Sequence, residues 1–182
     1  MMVSLDGYFE GPDHDLSWHN VDEEFNKFAI EQLNEADTIL FGRRTYQLME
    51  DFWPTEDARK TDPLVAEKLN FTPKVVFSKT LKSVEEKTYW KNTTLIKGDL
   101  VEEIKKLKQK PGKDMALLAS NNLCIGLLEN NLLDEVRIMV NPVVLGTGNV
   151  LFVGLNKKIK FNLLKTRIFN SGNVLLYYQP LN

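Results

Sequence analysis

One cysteine and two histidines in 182 residues remove several kinds of chemistry at the outset. A lone Cys124 cannot form an internal disulfide, and no cysteine cluster is present to hold zinc or an iron–sulfur centre. It lies in an apolar run of helical character, where cysteine is usually a small buried hydrophobe. His14 and His19 share one early loop and have no partner at metal-ligand spacing, so no metal site is expected. No apolar stretch approaches the roughly 20 residues that span a bilayer, and no secretory signal is recognisable, which makes a cytoplasmic protein the expectation. Neither sign of charge dominates: 23 basic and 25 acidic residues leave a net charge of −2. Nucleic acids and anionic membranes select a basic footprint, and this balance supplies none. Repeats and low-complexity tracts are also missing.

What remains is an ordinary globular composition, 43% hydrophobic and 26% charged, long enough for one domain with a sizeable core. The opening MMVSL reads as a strand that could extend upstream in a longer native chain. Along the chain, short apolar runs alternate with amphipathic stretches. Val21 to Ala36 places Val21, Phe25, Phe28, Leu33 and Ala36 on one face, a helix with acids in its first turn. Thr38 to Phe41, Lys74 to Phe77, Thr94 to Ile96 and Met115 to Leu118 read as short buried strands, with helices TYQLMEDF, TDPLVAEKLN, DLVEEIKKLKQK and SNNLCIGLLEN between or after them. Ser120 or Asn121 is the expected cap of the last of these helices. EVRIMVNPVVLG reads as one long strand, and the tail as a hairpin turning at Asn170 to Asn173. Strands separated by helices imply βαβ units and a mostly parallel sheet covered on both faces, with the hairpin closing one edge. The expectation is a single α/β domain.

In such sheets ligands bind beyond the carboxyl ends of the strands, beside helix N-termini. Three polar segments fall there: Gly42-Arg43-Arg44-Thr45, Ser78-Lys79-Thr80 and Ala119-Ser120-Asn121. A helix start offers N–H groups without internal partners and a dipole that favours anions, and arginine adds a planar fork for phosphate oxygens. Each segment alone is equally well explained as a polar turn. Three that could line one crevice point more firmly to a ligand.

Four stretches in order carry a resemblance: SLDGYFEGPDHDLSW, FGRRTY, VVFSKTL and LLDEVRIMVNPVVLGTGNVLF. Together they resemble the reductase family of the riboflavin deaminase-reductase C-terminal domain, which shares the dihydrofolate reductase fold. The resemblance implies NADPH as cofactor, laid across the strand ends. By position, Gly42, Arg43, Arg44 and Thr45 correspond to the turn that contacts cofactor phosphate. Ser78, Lys79 and Thr80 correspond to the strand end that meets the adenosine ribose and its 2′-phosphate. Ala119, Ser120 and Asn121 stand where relatives usually carry a Gly-Gly or Gly-Ser pair. Alanine there crowds a close backbone approach and resists positive φ. Either the cofactor binds somewhat differently or the site has been lost.

For acid–base work the candidates are Asp6, at the end of the first strand, and Glu23, the nearest match to the carboxylate that orients substrate in dihydrofolate reductases. Their other readings are a turn residue and a helix-dipole complement. Trp18, Phe52 and Trp53 are available as an aromatic wall for a flat acceptor, and Gly146 and Gly148 can curve the loop that follows the long strand. The implied activity is NADPH-dependent reduction of a small planar nitrogen heterocycle, pterin-, folate- or pyrimidine-like. A dedicated step of riboflavin biosynthesis is less expected, because the chain lacks a fused zinc deaminase with its H-x-E and C-x-x-C ligands. The rival reading is a non-catalytic nucleotide- or metabolite-binding protein on the same scaffold. A homodimer through the long strand and tail hairpin suits either, since edge strands invite pairing.

Overall fold

The computed structural model describes residues 1–181. Its elements run β1 (Met2–Val3), β2 (Tyr8–Glu10), α1 (Glu23–Glu35), β3 (Ala36–Gly42), α2 (Arg43–Phe52), α3 (Glu56–Thr61), α4 (Pro63–Phe71), β4 (Lys74–Phe77), β5 (Thr93–Ile96), α5 (Leu100–Lys108), β6 (Asp114–Leu117), α6 (Asn121–Glu129), β7 (Val136–Val140), β8 (Asn149–Val150), β9 (Lys160–Ile168) and β10 (Val174–Leu181). They fall into two compact units: Asn26–Cys124, and Met1–Phe25 together with the chain from Ile125 onward.

The 26–124 unit is built on a wholly parallel sheet in the order β5-β4-β3-β6. Strands covered on both faces need apolar side chains in both directions. Ile39, Leu40, Phe41, Val75 and Val76 are accordingly all buried. Ile39, Phe41 and Val76 share a core with Leu33, Tyr46, Val65, Leu69 and Trp90. The helices begin where local chemistry allows. Asp99 caps α5 by accepting from the amides of Val101 and Glu102, and Pro63 occupies the first turn of α4. Helix α3 is absent from the periodicity reading; Thr55 caps it by accepting from the Ala58 amide.

Lys74 is 1% exposed. Its Nζ donates to the carbonyls of Asn70, Thr72 and Lys91 at 3.0, 2.7 and 2.9 Å and lies 4.5 Å from the Trp90 ring centre. Three acceptors match the three N–H bonds of an ammonium, so the charge is buried with its hydrogen bonds made. Burial still pushes its pKa down to about 8.

The other unit carries a second four-stranded sheet, β1-β7-β10-β9, and a two-stranded pair, β2-β8. Strand β1 runs parallel to β7, while β7-β10 and β10-β9 are antiparallel. The α/β class, the parallel sheet and the C-terminal hairpin are therefore as the sequence predicts. The single continuous sheet is not, because β7 pairs with β1 and the hairpin. The predicted long strand also stops at Val140. Pro142 has no N–H to continue a ladder. Asn141, fully buried, turns its side chain to local work: Nδ2 contacts the carbonyls of Val3 and Met139, and Oδ1 accepts from the Asn20 amide at 3.0 Å.

Candidate cofactor site at the strand ends

Strands β4, β3 and β6 are neighbours in one parallel sheet, with Gly42 opposite Phe77 and Leu40 opposite Leu117. Their carboxyl ends therefore lie side by side, and the three predicted segments are gathered at one end of the 26–124 unit. Gly42 is the N-cap of α2, and no side chain caps that helix. A helix start with glycine at its N-cap leaves the approach to its first turn open to an anion. Arg43 and Arg44 are exposed, and Thr45 is half-buried. In the next turn Ser78 Oγ accepts from the amides of Thr80 and Leu81 at 3.2 and 2.9 Å and shares a hydrogen bond with Thr80 Oγ1 at 3.4 Å. Lys79 and Thr80 are exposed beside it. A glycine-led helix start, two guanidinium groups, an ammonium and hydroxyls form a donor set suited to a multiply charged anion such as a dinucleotide phosphate.

The third segment adopts glycine's conformation without glycine. Ala119 has φ 54° and Ser120 φ 66°, both left-handed. L-residues avoid this region because Cβ approaches the following carbonyl, at a cost of roughly 1–2 kcal/mol each. Gly42, by contrast, has an ordinary extended backbone with φ −80°. Its lack of a side chain serves space: a Cβ at Gly42 would overlap Ser120 Oγ and lie 3.1 Å from Ser120 Cβ. The two turns are thus interlocked, with the Ser120 hydroxyl seated over the Gly42 backbone. Ser120 directly precedes α6 and its carbonyl accepts from the Cys124 amide at 3.0 Å, the first bond of the helix, while Asn121 Oδ1 is buried without a hydrogen-bond partner.

In the other unit, Asp6 and Gly146 come together. Asp6 Oδ1 accepts from Ser4 Oγ at 2.6 Å and from the Leu145 amide at 3.1 Å, while Oδ2 accepts from the Gly146 amide at 2.7 Å. Those donors, Ser4 foremost, stabilise the ionised form and hold its pKa at about 2. At neutral pH Asp6 can orient a partner but has no proton to give. Glu23 is the first residue of α1 and is exposed. Its neighbours are occupied: Asp22 Oδ1 accepts from the Phe25 amide at 2.8 Å, and Glu24 Oε2 accepts from the Asn170 amide at 2.8 Å and its Nδ2 at 3.0 Å.

Trp18 donates Nε1–H to the Asp15 carbonyl at 3.1 Å and meets His19 edge-on, with ring centres 4.4 Å apart. Gly146 has φ 75° with open space where a Cβ would stand, whereas Gly148, at φ 146°, presses on the Glu10 carbonyl and is the glycine this loop requires. Phe52 and Trp53, in the 26–124 unit, pack edge to face at 5.1 Å. Sequence reasoning missed Glu10, which is 8% exposed and accepts from Asn149 Nδ2 at 2.7 Å, with His14 Nδ1 at 3.0 Å. The tertiary pairing of β2 with β8 creates that contact. Among the described residues no group of three His, Cys, Asp or Glu side chains is arranged to hold a metal ion, and no helix is long and apolar enough to cross a membrane.

Comparison with known proteins identifies the family and the fold. Residues 1–175 match the RibD C-terminal domain family. The Bacillus subtilis (strain 168) protein YyaP, itself uncharacterized, is 32% identical over 178 residues, covering 98% of this chain and 91% of YyaP. A crystal structure from Shewanella sp. PV-4, of a protein assigned by name to riboflavin biosynthesis, superposes with a TM-score of 0.75 at 26% identity, over 100% of this chain and 97% of that one. Dihydrofolate reductase from Enterococcus faecalis, complexed with NADP(H), is similar in fold alone. Its TM-score is 0.62 at 12% identity, with 100% and 94% covered.

Proposed function

The chain belongs to the RibD C-terminal domain family, and on that premise we propose that it is an NADPH-dependent reductase of a small planar nitrogen heterocycle, pterin-, folate- or pyrimidine-like. The glycine-led start of α2, with Arg43 and Arg44 at the same sheet end as the Ser78-Lys79-Thr80 turn, is the observation that carries this reading. In it, Gly42, Thr45 and the α2 amides receive a cofactor phosphate, with Arg43 and Arg44 as counter-charges. Lys79, with the hydroxyls of Ser78 and Thr80, takes the ribose 2′-phosphate and so prefers NADPH to NADH. Ala119, Ser120 and Asn121 form the third wall, where the Asn121 amide group has an acceptor still to be used. Bound there, the nicotinamide supplies the reducing equivalent.

Trp18, Phe52 and Trp53 are the aromatic side chains proposed for a flat acceptor, and Gly146 shapes the loop beside Asp6. Asp6, ionised, orients a ring N–H by accepting it, so the proton that completes reduction comes from water or another group. Glu23 is the second carboxylate of the proposal. Titration with NADPH and NADH, followed by ligand fluorescence and thermal shift, tests the reading. We expect tighter binding of NADPH, weakened about tenfold in Arg43→Ala, and a loss of the preference over NADH in Lys79→Ala. An acceptor screen would then follow NADPH consumption.

Failure of both nucleotides to bind would overturn the assignment. The Ser120 hydroxyl standing over Gly42 favours one alternative in that event: a scaffold that binds another metabolite without turnover.

A further inference from the structure

Reduction of a C=N bond needs a proton as well as a hydride, and Asp6, ionised at neutral pH, has none to give. The same unit holds a second carboxylate at the β2-β8 pair. Glu10 ends β2 and pairs in register with Asn149 of β8. Its Oε1 accepts from Asn149 Nδ2 at 2.7 Å and faces His14 Nδ1 at 3.0 Å. An ionised carboxylate only accepts, so this contact puts the imidazole hydrogen on Nδ1 and turns Nε2 away from Glu10. The Glu10 side chain is 11% exposed and that of His14 53%, so a buried carboxylate holds a half-exposed ring. The turn that carries the ring is strained. Asp13 and His14 have φ 53° and 64°, a left-handed region that L-residues avoid.

We infer that His14 is the proton donor of the reduction, its ring oriented by Glu10 and its Nε2 meeting the acceptor nitrogen; the inference rests on the reductase reading. Its neighbours support this role. Asp6 Oδ2 binds the Gly146 amide and Glu10 Oε1 the Asn149 side chain, so both carboxylates reach the same 146–149 stretch. Four residues of chain separate them, at most about 14 Å. Trp18 donates to the carbonyl of Asp15, the residue after His14. His19 is a poorer donor, because its Nε2 is buried and burial pushes its pKa down. Of the charged groups around His14, Glu10 faces it from β2 and Asp13 is exposed in its own turn. Asp15 Oδ1 accepts from the Ser17 amide at 2.9 Å, and β8 presents the neutral Asn149.

In the reaction, the carbon of the acceptor C=N bond receives a hydride from the nicotinamide, and the C=N π pair passes to the nitrogen. That nitrogen takes the proton from Nε2 of the His14 imidazolium, whose N–H pair stays on Nε2. The products are the C–N compound and NADP+, and solvent restores the proton on His14. Glu10 stabilises the imidazolium and keeps Nδ1–H throughout.

NMR of histidine-labelled protein tests the contact without turnover. Titration with folate and with 6-aminouracil, binding being followed by thermal shift, should move the Nε2 signal of His14. A bound probe that leaves Nε2 unmoved, or no binding of either probe, would overturn the inference. In assays of NADPH consumption, His14→Asn, a residue that accepts the left-handed backbone, should lower kcat about 100-fold. Acceptor KM and NADPH affinity should stay within about twofold. Glu10→Gln keeps the shape but not the charge, and should move the fall of rate with rising pH to lower pH. A merely structural role for Glu10 would slow the enzyme without moving that profile. His14→Asn, at a half-exposed side chain, decides the matter if Glu10→Gln does not fold. Wild-type turnover by His14→Asn overturns the inference and leaves the reductase reading intact, whereas a wild type that binds neither nucleotide fails that reading instead.

Discussion

The β3–α2 and β6–α6 turns do the same topological job at the same end of one sheet, by opposite means. The first spends a glycine on a residue whose backbone does not need one: Gly42, at φ −80°, is extended like any residue. The second bends through two left-handed residues, Ala119 and Ser120, without a glycine. The contact between them explains both. Ser120 projects its hydroxyl over Gly42, so the missing side chain at 42 makes room for the side chain at 120. A glycine can thus be required by a neighbour's volume rather than by its own dihedral angles, and a strained backbone can persist when packing holds it.

The sharpest way to break the pairing is Gly42→Val. A branched side chain meets Ser120 with no free space, and we expect a loss of about 3 kcal/mol, a fall in Tm of roughly 5–10 °C for a chain of this size. In a Ser120→Gly background the same change should cost about 1 kcal/mol less, and strict additivity in that cycle would show the two turns to be independent. A smaller effect is expected from relieving the strained turn. Ala119→Gly should raise stability by up to about 1 kcal/mol, the left-handed penalty less the added freedom of the unfolded chain, measurable by urea unfolding. A destabilised variant would mean that the Ala119 methyl packs usefully enough to outweigh its backbone.

The smallest effect at neutral pH concerns the loop that a side chain, rather than strain, holds in place. Asp6 binds its proton less tightly in the folded state, with a pKa of about 2 against an ordinary value of 3.8. Its contribution is therefore complete above about pH 4 and lost as pH falls toward 2. The Tm gap between wild type and Asp6→Asn should close across that window. A gap that stays constant on acidification would show that the carboxylate does not pin Leu145 and Gly146.

Much of this was legible from local pattern. Strand β4 is found at Lys74–Phe77, as its apolar run predicts, and Pro63 and Asp99 mark helix starts as their chemistry requires. Gathering Gly42, Ser78 and Ser120 at one sheet end followed from βαβ order alone. Other features involve partners distant in sequence and left no local trace. Pro142 marks the end of β7 locally, but the seat of the Asn141 side chain depends on Val3 and Asn20. The burial of Lys74 depends on carbonyls from α4 and from Lys91 converging on one ammonium. Helix α3 is too short for periodicity to register.

The sequence by itself determined the α/β order, the strand ends at which polar residues gather and the family, because burial periodicity and motif chemistry are written residue by residue. Tertiary structure alone decided that β7 joins β1 and the hairpin in a separate sheet, that Asp6 is committed to the Gly146 loop, and that Ser120 occupies the space Gly42 leaves. Each of these is set by register and volume between segments far apart in the chain, quantities that no local pattern encodes.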